Sequence, residues 1–274
     1  MTTERRNFYT RANQEAWEEV APRHAAVTLE KLKADFAEPG HYRLGSHMLR
    51  ALDRIPFKGA RIAQLACNNG IDLLSVKNLG AGPCVGYDQS AAFIDQAREL
   101  TRAAGLDAVE FEEADIYSLS PERTGQFDMV MTTIGVVGWM PDLQGFFDTA
   151  SALVRNDGYF LMEEMHPVLL MFEPGDNGAP SYRAHSYFAG LTFEDSNGLD
   201  YYSGEFYAAK TAYSFQYTLA ELMTAAMQAG FVLRHIEELD YDISFFVPIS
   251  STRPTSLHSD LHWFGVSIRS IEAR

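Results

Sequence analysis

From Ala60 onward, short apolar runs alternate with longer amphipathic stretches. The runs predict strands over 61–66, 84–88, 108–112, 127–133 and 158–165. The stretches between them predict helices over 70–79, 90–105 and 142–155, with a short helical turn near 118–123. Gly80 and Gly105 stand where helix C-caps belong, and Asp157-Gly158 makes a turn into the fifth strand. Strand–helix alternation at this spacing means βαβ units and a mostly parallel sheet. Upstream, Phe8, Ala12, Trp17, Val20 and Leu29 mark a helical region over 8–36, which Pro22 and Pro39 divide into pieces. A short helix over 46–54 ends before Pro56.

The rhythm breaks after His166-Pro167. Residues 167–217 are rich in turn formers and carry Tyr182, Tyr187, Phe188, Phe193, Tyr201, Tyr202, Phe206, Tyr207 and Tyr213. A long insertion inside a compact domain is usually functional. A helix over 218–229, capped by Gly230, restores order, and strands near 231–238 and 262–270 close the sheet. Asp240–Asp260 between them reads as a second lid. The chain therefore divides into an N-terminal helical lid (1–55), a Rossmann-like core (56–166), an aromatic-rich cap insertion (167–217) and a C-terminal part of the core with the final helix and strands (218–274). The predicted class is α/β and Rossmann-like: a mostly parallel seven-stranded sheet with helices on both faces, a helical lid, and an insertion after strand five.

Composition narrows the partners. The 274 residues are 46% hydrophobic and 22% charged, an ordinary globular balance. A formal net charge of −15 argues against nucleic acid, which wants a basic face. Cys67 and Cys84 are too few for a disulfide framework and read as free thiols of a reducing compartment. Neither an apolar leader nor a membrane-spanning run is present in the sequence, so a cytoplasmic protein without a membrane partner is expected. No His/Cys spacing fits a metal site. An insertion this apolar allows a homodimer.

The chemistry concentrates where the first strand meets the first helix of the core. Leu65-Ala66-Cys67-Asn68-Asn69-Gly70 is a tight turn of small residues, and Val85-Gly86-Tyr87-Asp88 is a short strand ending in an acid. Such a turn lets a nucleotide-like ligand approach the backbone, and the acid suits ribose hydroxyls. The turn resembles motif I of the class I S-adenosylmethionine-dependent methyltransferases, in worn form. Gln64 stands where that family has an acid, and Ala66 and Asn68 replace two glycines. Ala is the smallest step from Gly, and Asn tolerates a left-handed backbone best among the others. Asp88-Gln89-Ser90 resembles the second motif, Ala114-Asp115-Ile116 the third, Thr133-Ile134-Gly135 the loop after strand four, and Leu153-Val154-Arg155-Asn156-Asp157-Gly158 the turn into strand five. The ordered set covers roughly 55–166. A dinucleotide reading is weaker, since hydride-transfer proteins keep Gly-x-Gly-x-x-Gly and only Gly70 is present. Gly135–Leu143 with Glu164–Pro167 narrows the resemblance to a bacterial small-molecule branch.

The resemblance implies S-adenosylmethionine as cofactor, S-adenosylhomocysteine as product, and methyl transfer to an oxygen or nitrogen of a small-molecule metabolite. Cofactor contacts are expected at Tyr9, Leu65, Ala66, Cys67, Asn68, Gly70, Asp88, Gln89, Ser90, Ala114, Asp115, Ile116, Thr133, Ile134 and Gly135. Tyr9, Asn13 and Trp17 share one helical face by their spacing, which suits a lid, while Trp17 alone reads equally as core. Methyl transfer needs a positioned nucleophile and often a base. His166 at a strand end is the first candidate, against a role in fixing the turn before Pro167. Glu164, two residues earlier and so on the same face, is placed to orient it, while Glu163 points the other way. Trp139, His185, Tyr187, Tyr202 and Tyr207 are candidate substrate contacts, against a role in the cap's own small core. Two other functions stay open: a non-catalytic or regulatory protein that holds the cofactor or its product, and a protein methyltransferase.

Overall fold

A computed structural model of the protein describes residues 1–174, 180–239 and 263–270. The expected lid at 240–260 lies outside the described residues.

In the N-terminal region, α1 (Thr3–Phe36) and α2 (Ser46–Leu52) come first. The core follows as β1 (Ile62–Leu65), α3 (Ile71–Asn78), β2 (Cys84–Asp88), α4 (Ala91–Ala104), β3 (Val109–Glu113), β4 (Phe127–Thr132), α5 (Leu143–Leu153) and β5 (Val154–Glu164). The insertion contributes two hairpins, β6 (Phe172–Pro174) with β7 (Pro180–Arg183), and β8 (Thr192–Asp195) with β9 (Ala212–Phe215). Then come α6 (Leu219–Gln228), β10 (Phe231–Leu239) and β11 (Trp263–Ser270). The sheet order is β10-β11-β5-β4-β1-β2-β3. The five strands from β5 to β3 pair in parallel, and β11 runs antiparallel between β5 and β10. The sequence reading of a mostly parallel sheet thus becomes a five-stranded parallel sheet with an antiparallel extension.

Both faces of the sheet are buried, as parallel strands require. Ala63, Leu65, Val85, Val130 and Phe160 pack with Phe146 and Phe147 of α5 and Leu222 of α6 on one side. Ile62, Met129, Met131 and Leu161 pack with Leu73, Leu74, Ile94 and Leu100 on the other, where α3 and α4 lie. Each fully buried Leu or Phe side chain contributes about 1.5–3 kcal/mol.

Three expectations need correction. The first helix is not divided at Pro22: α1 runs 34 residues through it. Val20, Ala21 and His24, all buried on either side of the proline, dock on α4 and on the segment around Leu199. Tertiary packing outweighs the missing N–H and the ring clash, which together cost about 3 kcal/mol. The second concerns strand five, which starts at Val154 rather than 158. Phe127 pairs with Val154 and Met129 with Tyr159, so the strand bulges between them. Asp157 (φ 60°) adopts the left-handed backbone within that bulge. The predicted turn is therefore an irregularity inside the strand. The single helical turn near 118–123 resolves into two 3-10 turns, Ile116–Ser118 and Pro121–Arg123.

Helix α6 begins at a capping box in which Thr218 and Glu221 satisfy each other's backbone N–H groups. No described helix is long and apolar enough to cross a membrane.

Candidate active site

The carboxyl ends of the parallel strands meet at the turn after β1. Ala66 (φ 51°), Asn68 (φ 51°) and Gly70 (φ 75°) all adopt the left-handed backbone there. For a non-glycine residue this costs roughly 1–2 kcal/mol, so the surroundings must hold the turn in place. Asp88 at the end of β2 supplies that hold. Its carboxylate accepts the Asn68 N–H at 2.8 Å and the Ser90 N–H at 3.0 Å. Cys67 N–H donates to the Tyr87 carbonyl at 2.9 Å, and Gly70 N–H to the Cys67 carbonyl at 2.9 Å. Gly70 is also required by space, since a Cβ there would lie 2.4 Å from Phe111. Burial raises the Asp88 carboxyl above its ordinary range, while the N–H groups of Ser90, Asn68 and Gln89 pull it back.

A cavity of about 310 Å³ opens above this turn. One end is walled by Ala114, Asp115, Ile116 and Tyr117, and the Asp115 carboxylate accepts the Tyr117 N–H at 3.0 Å. Thr133, Ile134, Gly135 and Val136 form the side after β4. Thr10 and Trp17 of α1, Arg43, Trp139, Tyr201 and Tyr202 close the remainder. Helix α1 is seated over the cavity by polar contacts. Buried Asn13 donates to the Tyr213 carbonyl at 2.8 Å and accepts the Tyr213 N–H at 2.7 Å. Gln14 donates to the Gln89 carbonyl at 2.8 Å, and Glu18 accepts from the Ser90 hydroxyl at 2.6 Å. Trp17 stands edge-on to Trp139, with ring centroids 5.2 Å apart.

Most of the expected cofactor residues come together here. Ala66, Cys67, Asn68, Asp88, Gln89, Ala114, Asp115, Ile116, Thr133, Ile134 and Gly135 all line the cavity. Leu65, Gly70 and Ser90 stand behind the lining: Leu65 in the core, Gly70 capping α3, and Ser90 capping α4. Tyr9 is displaced from the expected contact. It packs edge-on against Tyr213 and Phe215 and receives Arg5, and Thr10 and Trp17 take the lining positions instead.

The expected substrate residues divide in the same way. Trp139 and Tyr202 line the cavity, whereas His185, Tyr187 and Tyr207 do not. The Tyr187 hydroxyl accepts the Leu219 N–H at 2.8 Å and so helps to start α6. The Tyr207 ring packs under the Arg23 guanidinium at 4.0 Å, and His185 packs on Phe193. These three make their contacts away from the cavity lining.

The expected catalytic pair is also outside the lining. His166 is buried; its Nδ1 accepts the Val168 N–H at 3.2 Å and its Nε2 lies 2.8 Å from Glu238 Oε1. It caps the 3-10 turn that Pro167 begins, which is the fixing role weighed against catalysis. Glu164 accepts from Gly135 (2.8 Å), Val137 (2.7 Å) and Met165 (2.8 Å), so its carboxylate holds the loop after β4 from behind. Burial pushes it up to about 7. Glu163 does point the other way, pairing with His47.

Sequence reasoning passed over Asp72, Arg43, Thr10 and Tyr201, all of which line the cavity. Asp72 had a local signal, two residues after Gly70 in the first turn of α3, but an acid there reads as a partner of the helix N-terminus. The others reach the site only through long-range packing. Among the described residues no group of His, Cys, Asp and Glu could hold a metal ion.

The residues present fit a charged nucleoside cofactor. Asp88 and Asp115 are acids on the cavity wall, and the turn presents its backbone to the same space. Gln64 Oε1 is a buried acceptor without a hydrogen-bond partner among the described residues. Comparison with known proteins agrees. The sequence model of the methyltransferase domain family matches residues 62–158. Two curated relatives are ribosomal protein L11 methyltransferases. That of Caldanaerobacter subterraneus is 24% identical over 149 residues, spanning 51% of this chain and 47% of its own. That of Symbiobacterium thermophilum is 27% identical over 137 residues, spanning 47% of this chain and 42% of its own. The chain thus spans less than half the length of either. Among solved structures, an S-adenosylmethionine dependent methyltransferase from Mesorhizobium loti superposes with a TM-score of 0.59 at 21% identity, covering 81% of this chain and 96% of that one. Geranyl diphosphate C-methyltransferase from Streptomyces coelicolor, solved with S-adenosyl-L-homocysteine, gives 0.55 at 13% identity, covering 82% and 78%. Residues 62–158 thus match the methyltransferase domain family, and the sheet that holds them has the fold of solved S-adenosylmethionine-dependent methyltransferases.

Proposed function

We propose that the chain transfers the methyl group of S-adenosylmethionine to an oxygen or nitrogen of a small-molecule acceptor. The roof of the cavity carries this reading. Trp17, Trp139, Tyr201 and Tyr202 enclose the space beyond the cofactor motifs with aromatic faces. Aromatic walls suit a planar or cationic small molecule. Asp88 would take the ribose hydroxyls, Asp115 the adenine side, and the turn over 66–70 the methionine end. When bound, the cofactor supplies an electrophilic methyl on a sulfonium sulfur. The protein's part is to align the acceptor's lone pair with that methyl and keep water out. His166 as base and Glu164 as its orienter receive no support from the lining. Glu164 instead holds Gly135 and Val137, and so shapes the wall.

The test is direct. Purified protein is incubated with methyl-labelled cofactor and fractionated small metabolites, and the label is followed by mass spectrometry. Transfer to a small molecule supports the proposal. Micromolar binding of S-adenosylhomocysteine without transfer to any acceptor supports the non-catalytic reading. A second reading comes from the names of the curated relatives, which act on a ribosomal protein. Label appearing in ribosomal protein and in no small molecule would replace the proposal with protein methylation.

A further inference from the structure

The amino-acid end of the cofactor is a zwitterion: an ammonium with three donors beside a carboxylate with two acceptor oxygens. A site that binds it needs charges of both signs close together. The charged side chains lining the cavity are Arg43, Asp72, Asp88 and Asp115. Asp88 and Asp115 have other duties, one tying Asn68 to Ser90 and the other capping the turn at Tyr117. The remaining charges of the lining are one of each sign, Asp72 in the first turn of α3 and Arg43, which also reaches Asp35 at 3.5 Å, and the two lie near enough to feel each other's charge.

Asp72 also belongs to a polar chain that starts in the sheet. Gln64 Nε2 donates to the Thr133 hydroxyl at 3.1 Å, and Thr133 hydrogen-bonds the Asp72 carboxylate. The other end of the Gln64 amide, Oε1, has no hydrogen-bond partner among the described residues although Gln64 is only 1% exposed. A buried acceptor left in that state costs about 1–3 kcal/mol. Asp72 thus sets one anionic acceptor on the cavity wall, and Gln64, not itself among the lining residues, sits behind it across Thr133. Burial and the nearby Glu163 charge push Asp72 up to about 6, against the pull of Thr133 and Arg43, so a cation would be welcome there.

We infer that Asp72 and Arg43 form the clamp for the amino-acid end of the cofactor, Asp72 taking the ammonium and Arg43 taking the carboxylate. The inference rests on the cofactor reading above. It also accounts for Gln64: the negative charge resides in the first turn of α3, and a second carboxylate at position 64 would repel it.

The experiment compares two ligands by calorimetry, S-adenosylhomocysteine and 5′-methylthioadenosine, the second lacking the amino-acid end. The wild type is expected to bind S-adenosylhomocysteine more tightly. Asp72→Asn and Arg43→Gln should each weaken S-adenosylhomocysteine by roughly 10–100-fold, the value of a charge-assisted hydrogen bond, and leave methylthioadenosine unchanged. Unchanged methylthioadenosine binding also reports that the variant is folded. Equal losses for the two ligands, or no loss for either, overturn the clamp. If the wild type binds neither ligand, the cofactor reading itself fails, a result distinct from failure of the clamp.

Discussion

Asn68 donates its backbone N–H to the Asp88 carboxylate at 2.8 Å while its own backbone sits at φ 51°. One residue of motif I is therefore held in a strained conformation by the acid of the next motif. The strain and the clamp have opposite consequences for substitution. Asn68→Gly relieves the strain and keeps the N–H, so its melting temperature should stay within a few degrees of wild type. Asn68→Val keeps the N–H but adds a branched Cβ at positive φ, and should cost about 1–2 kcal/mol in denaturant unfolding. Equal stabilities for the two variants would remove the strain argument.

Asp88→Ala has a double effect. It strands the N–H groups of Asn68 and Ser90 in a buried setting and removes the acid proposed for the ribose. The expected outcome is a loss of about 1–3 kcal/mol in stability, together with tenfold or more weaker S-adenosylhomocysteine binding. Asp88→Asn retains one oxygen acceptor and should lie between the two. Calorimetry showing wild-type affinity in Asp88→Ala would rule out the assignment of the second motif.

His166→Gln separates the sequence expectation from the geometry. The imidazole caps the turn at Val168 and meets Glu238, away from the cavity lining. Once an acceptor is known, kcat of this variant should stay within about threefold of wild type, with a stability loss near 1 kcal/mol. A fall of a hundredfold or more in kcat with an altered pH–rate profile would restore His166 as the base.

What was legible in the chain follows from the range of the interaction. The turn at 66–70, Asp88, Asp115 and the loop after Thr133 each sit at a strand end, where local pattern alone fixes their position. Gly70 could be read as essential, yet the ring that forbids a side chain there is Phe111 on another strand. Trp17, Arg43 and Tyr201 reach the cavity from α1, from the segment before α2 and from the insertion, and no spacing in the sequence encodes that convergence. The continuity of α1 through Pro22 has the same origin, since contacts with α4 and the Leu199 segment outweigh the local break. The sequence reading expects His166, at the end of a parallel strand, to face the site. Here Pro167 starts a turn at once, and the ring caps it.

Glu164 gives the last test, because its titration couples to stability in a known direction. Its carboxyl is raised from 4.5 to about 7 by burial, so the folded state binds its proton more tightly than the unfolded chain does. The stabilising contribution is complete below pH 4.5 and is lost as pH rises through about 7. Asp72, raised from 3.8 to about 6, acts in the same sense over a lower range. Buried His24 opposes them: its pKa is lowered from 6.5, so it removes stability as pH falls below that value. Above pH 6.5 the His24 contribution is largely complete and Glu164 dominates. Cofactor-free protein should therefore lose melting temperature from pH 6.5 through 7 and level off towards pH 8. Glu164→Gln cannot titrate, and its amide nitrogen must face an N–H now served by a carboxylate oxygen. It should be about 1–3 kcal/mol less stable at pH 6.5 and show a visibly flatter slope up to pH 8. Parallel slopes for the two proteins would show that this carboxyl titrates outside the window, and would remove Glu164 as the group that couples the wall of the cavity to pH.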